Sequence, residues 1–222
     1  MIGPLPQDLI ERENAERLAA LEDDYASLGR TLARRGRSID KVKDAVKAFA
    51  VAVPTWGLGI GGTRFAKFPL PGEPITLRDK LEDAAVVNQL GRATPTVSPH
   101  FPWDKVADPA ALRQEAAELG LGFDAVNSNT FQDHADQSWS YKFGSLTHTD
   151  KAVRDRAIEH NVECIDLGVA LGSRAITVWI ADGSNFPGQQ NMTAAFDRYL
   201  DSMSQIYAAL PADWRLFMEH KL

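Results

Sequence analysis

Short β-rich runs alternate with capped amphipathic helices along most of this 222-residue chain, and that rhythm restricts it to a parallel α/β architecture. Strands are read at residues 49–54, 96–98, 123–126, 174–180 and 214–219, each followed by a helix except the last. The run FAVAVP at 49–54 is continuously apolar, as expected of a strand covered on both faces, and RAITVWI at 174–180 reads as a further buried strand. The strand at 96–98 is short and flanked by Pro95 and Pro99, so its placement rests on the rhythm. Strands recurring about every 30–50 residues fit a (β/α) barrel, in which eight of them at this spacing need roughly 350 residues. Five strands in 222 residues are therefore read as a partial (β/α)8 TIM barrel, and the uncovered last strand as the mark of a truncated product. A five-stranded open sheet ending on its last strand is the competing architecture.

Local chemistry sets the helix boundaries. Thr76 followed by Asp79 makes a capping-box pattern, with Leu77, Leu81 and Ala84 as the buried face. Asp108, Pro109 and Gly120 frame the next helix as N-cap, first-turn proline and terminal glycine. Thr149 is expected to cap a helix that buries Ile158, Val162, Ile165 and Val169 and stops at Gly172. The last helix carries the apolar stripe Phe196, Leu200, Met203, Tyr207 and Leu210. Ahead of all the strands, Leu18, Leu21, Tyr25, Leu28 and Leu32 recur at alternating spacings of three and four, and Gly36 follows. Residues 1–36 are read as a helical arm whose partner is either the rest of the chain, residues 37–222, or another subunit.

Thirty acidic against 24 basic residues leave a net charge of −6, which repels nucleic acid and anionic lipid, so neither is an expected partner. No apolar stretch approaches the ~20 residues that span a bilayer, and the first residues lack the basic lead and apolar run of an export signal. The single cysteine, Cys164, excludes an internal disulfide and a thiolate zinc cluster. The cytoplasm is the expected compartment.

In parallel α/β proteins the ligand site lies at the carboxyl ends of the strands. There the sequence places Trp56, then His100 and Trp103, then Asn127 and Asn129, then Trp179 and Asp182, and finally Glu219, His220 and Lys221. Indole rings beside hydrogen-bonding side chains suit a sugar or similar polyol, although each tryptophan taken singly is also an ordinary core residue. Glu219 and Lys221, two apart on a strand, project to one side. A carboxylate there can hold a divalent cation and an ammonium can neutralise a developing oxyanion; the bland alternative is an exposed ion pair. Residues 57–62, GLGIGG, spell the G-x-G-x-x-G of a dinucleotide site, yet TRFAKFPLPGEP follows where that motif requires a helix. The segment is read instead as a loop presenting Phe65. His134 and His148 read as solvated loop residues, and the His160 and Cys164 pair as a helix-surface coincidence.

The segments VAVPTWGLGIGGTRFAKFP, HFPWDK, GFDAVNSNTF, SYKFGSLTHT, ITVWIADGSNFPGQ and WRLFMEHK together resemble the L-rhamnose isomerases of the bacterial sugar-isomerase type, over nearly the whole chain. The resemblance implies a xylose-isomerase-like barrel, assembled as a homotetramer, that uses manganese or a similar divalent cation to interconvert an aldose and a ketose. It implies Glu219 as a metal-binding carboxylate, with Lys221 beside the substrate and His100 against the sugar oxygens as catalytic groups. Trp56, Trp103, Phe131 and Trp179 would line an apolar wall, and Phe65 would close the pocket of a neighbouring subunit. Members of that family continue well beyond this length, and strands six to eight complete their metal positions. Glu219 alone leaves most of the about six ligands of a hard cation to water, so the 222-residue chain is expected to be inactive by itself. Two other readings stand beside this one: a barrel glycosidase using Asp182 and Glu219 as paired carboxylates, and a non-catalytic fragment.

Overall fold

A computed structural model describes residues 5–59, 70–133, 137–183 and 188–220. The chain opens with α1 (Gln7–Ala33) and α2 (Ile39–Lys47), packed as a hairpin that turns at Gly36, whose φ of 68° favours glycine. There follow β1 (Ala52–Pro54), a 3-10 turn (Thr55–Gly57), α3 (Leu77–Gly91), β2 (Thr96–Ser98), β3 (His100–Phe101) and α4 (Pro109–Glu118). Then come β4 (Gly122–Phe123), β5 (Val126–Asn129), α5 (Lys151–Leu171), β6 (Ala175–Ile180), α6 (Met192–Ala208) and β7 (Arg215–His220).

These short strands occupy five positions. β2 runs into β3 through Pro99, and β4 into β5 through Asp124 and Ala125, so the sheets β1-β2-β4 and β3-β5-β6-β7 are successive parts of one parallel surface. Pro99 has no amide hydrogen to give the ladder. Its carbonyl still accepts the amide of Asn127 at 2.8 Å, and Val97 O accepts that of Asp124 at 2.9 Å, which carries pairing across the break. Spatial order follows chain order without reversal, the order of a barrel wall, and lacks the reversal point of a doubly wound sheet. Right-handed crossovers then keep α3 to α6 on one face.

Side chains alternate across that surface. Val97, Phe101, Val126, Ile176, Val178 and Ile180 face the helices and join Leu81, Ala84, Ala116, Ile158, Ile165 and Ile206 in the core. The opposite face carries His100, Asn127, Asn129, Thr177 and Trp179, aligned by the registers His100↔Asn127↔Thr177 and Asn129↔Trp179. A barrel interior is ordinarily packed with branched apolar residues. Here its strand ends are polar and aromatic, which suits them to binding.

The caps form as expected at α3, where Thr76 and Asp79 exchange both capping-box bonds, and at α4, where the Asp108 carboxylate accepts from Ala111 N at 2.9 Å. Gly120 and Gly172 take φ of 72° and 85° just past their helices. Thr76→Ala should lower the unfolding free energy by about 1 kcal/mol in denaturant titration. Hydrogen bonds from Thr76 also hold the Asp79 carboxyl below its ordinary value. The wild-type margin is therefore full above the ordinary carboxylate range and is lost as pH falls through the lowered folded value.

Several placements differ from expectation, among them α2, an unexpected helix, and the strand read at 123–126, which is split into β4 and β5. β1 starts at Ala52 rather than at residue 49, leaving Phe49 and Val51 exposed. Asp150, not Thr149, caps α5, accepting from Ala152 N at 2.9 Å, because a carboxylate also complements the helix dipole. On α5, Val169 is exposed while Gly168 lies against Val126 and Trp214, where a Cβ would come 2.6 Å from the indole. On α6 the stripe splits: Phe196, Leu200 and Tyr207 are exposed, Met203 and Leu210 pack against the edge of the core, and Ala195, Ser202 and Ile206 are buried. The small Ser202 allows close approach and donates to Leu146 O at 2.8 Å.

Candidate functional site

Four of the residues expected at strand ends, Trp56, His100, Trp103 and Trp179, meet on the inner face together with Phe131, which the family resemblance implied for the same wall. The ring of His100, the first residue of β3, is centred 5.4 Å from Trp56, 4.9 Å from Trp103, 6.1 Å from Phe131 and 5.7 Å from Trp179. Trp179 stands edge-on to Trp56 at 5.4 Å and stacks with Phe131 at 5.5 Å. These rings come from the turns after β1, β3 and β5 and from β6 itself, so the parallel order of the strands assembles them. Offset and edge-on ring pairs of this kind contribute about 0.5–1.5 kcal/mol each beyond burial.

Two buried amides frame the rings. Trp179 Nε1 donates to Asn127 Oδ1 at 2.9 Å, and Asn127 Nδ2 donates to Pro99 O at 3.1 Å, which fixes both the amide and the indole. Asn129 Nδ2 donates to Gln132 O at 2.6 Å, while its buried Oδ1 has no hydrogen-bond donor among the described residues. That oxygen is an acceptor suited to a ligand hydroxyl.

Glu219 lies on β7 in register with Trp179. In-register neighbours of a parallel pair point to the same face, so its carboxylate projects, exposed, from the face that carries the rings. Lys221 and Phe65 lie outside the described residues, as does His134. Among the described residues no group of three or more His, Cys, Asp or Glu side chains could hold a metal ion. Glu219 is thus one carboxylate donor, and these residues do not by themselves fit a divalent-cation centre.

Behind His100 sits a buried ion pair that sequence reasoning missed. Asp104, fully buried, accepts from Lys80 Nζ at 2.6 Å, Thr55 Oγ1 at 2.5 Å and His100 N at 2.7 Å, and its own amide donates to His100 O at 3.0 Å. Lys80 is equally buried. One carboxylate therefore ties α3, the end of β1 and the backbone of His100 together. The available signal was a lysine on the apolar side of α3, beside Leu77, Leu81 and Ala84.

Asp182 is a loop anchor. Its carboxylate accepts from Ser145 N and Oγ at 2.7 and 2.8 Å and from Thr147 N and Oγ1 at 2.8 and 3.0 Å. Both oxygens are engaged, which removes the second carboxylate from the glycosidase reading. His148 Nδ1 accepts from Asp150 N at 2.9 Å, a local turn contact. Cys164 Sγ lies 3.6 Å from His160 Nε2, and complete burial pushes its thiol well up, so it is not a reactive nucleophile. Among the described residues no helix is long and apolar enough to cross a membrane.

Fold and site together define a parallel α/β protein, wound as a barrel wall, with an aromatic and amide basin at its strand ends. The chain is 64% identical over 214 residues to a probable sugar isomerase of Rhizobium meliloti (strain 1021). It is 61% identical over 215 residues to a probable sugar isomerase of Mesorhizobium japonicum (strain LMG 29417 / CECT 9101 / MAFF 303099). These alignments take in 96% and 97% of this chain and 50% of each relative, so the chain spans about half the length of the curated relatives it matches. No protein-family model matches it. Among solved structures, an L-ribulose 3-epimerase is similar with a TM-score of 0.48 and 17% identity, over 76% of this chain and 48% of that one. A xylose isomerase domain protein from Planctomyces limnophilus is similar with a TM-score of 0.43 and 13% identity, over 77% and 52%.

Proposed function

We propose that this chain supplies the first half of the barrel wall and the aromatic side of the active site of a sugar isomerase, one that interconverts an aldose and a ketose, with L-rhamnose and L-rhamnulose as the pair. The observation that carries this reading is the convergence of His100 with four aromatic rings, on the face from which Glu219 projects. The similarity to two probable sugar isomerases supports it.

In this reading Trp56, Trp103, Phe131 and Trp179 take the C–H face of the sugar and exclude water. His100 and Asn129 Oδ1 meet its oxygens and fix its orientation. Glu219 serves as one ligand of a divalent cation, manganese or similar, whose other ligands come from beyond the described residues, and Lys221 lies beside the substrate. The assembly is a homotetramer in which Phe65 reaches a neighbouring subunit. Glu219 by itself does not hold the cation.

L-Rhamnose titrated into the purified chain should give a saturable change in tryptophan fluorescence. His100→Ala should weaken that binding by about tenfold, the worth of one good polar contact. Equal binding by the variant would overturn the role of His100. A ketose assay with manganese should show no turnover by the 222-residue chain, and turnover would overturn the half-site reading.

A further inference from the structure

One side chain on the inner face reaches both sides of the ring group. Asn127, buried on β5, donates through Nδ2 to Pro99 O at 3.1 Å, a carbonyl that also accepts the Asn127 backbone amide at 2.8 Å. Pro99 directly precedes His100, so this end of the side chain is tied beside the imidazole. Its other end, Oδ1, accepts from Trp179 Nε1 at 2.9 Å on β6. A single amide thus links the start of β3 to β6 across β5.

The strand register shows what the second bond does. Trp179 pairs with Asn129, yet its N–H reaches Asn127, two residues earlier on β5 and in the row of His100. The indole is therefore drawn diagonally across β5. Strands β3 and β6 stand two steps apart, about 10 Å, while the rings of His100 and Trp179 close to 5.7 Å between centres. Trp179 is 6% exposed, and an indole N–H buried to that degree needs an acceptor. With its donor engaged within the wall, what Trp179 leaves for a ligand is the ring itself.

We propose, on the sugar-binding reading above, that Asn127 is a positioning residue acting through Trp179: its Oδ1 holds the indole over β5 against His100 and keeps the indole donor away from the sugar. Asn127→Ala removes both bonds of the side chain. Asn127→Asp, at about pH 8 where a carboxylate is ionised, keeps the acceptor for the indole and loses the donor to Pro99 O. L-Rhamnose titrated into each folded chain and followed by tryptophan fluorescence should bind Asn127→Ala about tenfold more weakly than wild type. It should bind Asn127→Asp within about threefold of wild type, because a carboxylate accepts from the indole at least as well as an amide. Equal weakening in both would mean that the tie to Pro99 matters and the indole bond does not, and an unchanged Asn127→Ala would mean that neither does. Either result overturns the proposal. A readout without sugar runs beside the titration. Nuclear Overhauser contacts between the rings at positions 100 and 179 should be present in wild type and Asn127→Asp and lost in Asn127→Ala. They should also be lost in Trp179→Phe, which deletes the donor, leaves Asn127 bonded to Pro99 and serves if the Asn127 variants fail to fold. Persistence of those contacts in Asn127→Ala or Trp179→Phe would overturn the proposal. If wild type leaves L-rhamnose unbound, the sugar reading fails separately, and the ring contacts still decide the role of Asn127.

Discussion

Lys80→Met is expected to lower the unfolding free energy by about 3–5 kcal/mol, the cost of leaving a buried carboxylate without its countercharge. Both partners are completely buried, and Lys80 Nζ lies 2.6 Å from Asp104 Oδ1. Methionine keeps the volume of the lysine stem, so the loss reports the charge rather than a cavity. Thr55 Oγ1 and His100 N still donate to Asp104 in the variant, but two neutral donors do not replace an ammonium. A second change at Asp104 should restore part of the loss, because the two groups act as one. The measurement is a denaturant midpoint together with near-ultraviolet circular dichroism, since the ion pair holds the backbone of His100, around which Trp56, Trp103 and Trp179 gather. A loss below about 1 kcal/mol would mean the pair behaves as an exposed one.

Asp182→Ala should cost about 3 kcal/mol or more, because it strands four donors that now share one carboxylate, and hydrogen bonds to a charged group contribute about 1.5–3 kcal/mol each without adding fully. Ser145 is wholly buried and Thr147 nearly so, and water cannot readily replace what they lose. The consequence reaches the site through the chain. Asp182 follows β6, and Ser145 and Thr147 end the segment that leaves β5 and carries Phe131. Freed of its anchor, that segment should become several-fold more sensitive to limited proteolysis. A variant with wild-type stability and protection would contradict the anchoring role and return Asp182 to the catalytic candidates.

What the sequence revealed was mostly local chemistry. Thr76 with Asp79, Asp108 with Pro109, and Gly172 each satisfy helix ends using atoms a few residues away, so their effect is visible in the chain itself. The ring group was also legible, because parallel strands deliver whatever follows their carboxyl ends to one place. The split of the α6 stripe was not. Periodicity marks an amphipathic face without naming its neighbour, and here Ala195, Ser202 and Ile206 are buried while of the stripe only Met203 and Leu210 pack beside them. β5 likewise extends over Asn127 and Asn129, residues of low strand propensity, because pairing with Thr177 and Trp179 outweighs local preference. The Lys80–Asp104 pair stayed hidden for a similar reason: two charged residues 24 apart read as solvated until the fold closes over them.

The indole N–H signals of the five tryptophans, followed by two-dimensional 1H–15N NMR as L-rhamnose is added, test most directly whether the inner face is a sugar-binding surface. Trp56, Trp103 and Trp179 should shift together and saturate. Trp214, packed toward Gly168 on the helix side, and Trp139, beside Arg156 and outside the ring group, should stay in place. Five unmoved signals, or a shift confined to Trp139 and Trp214, would contradict it.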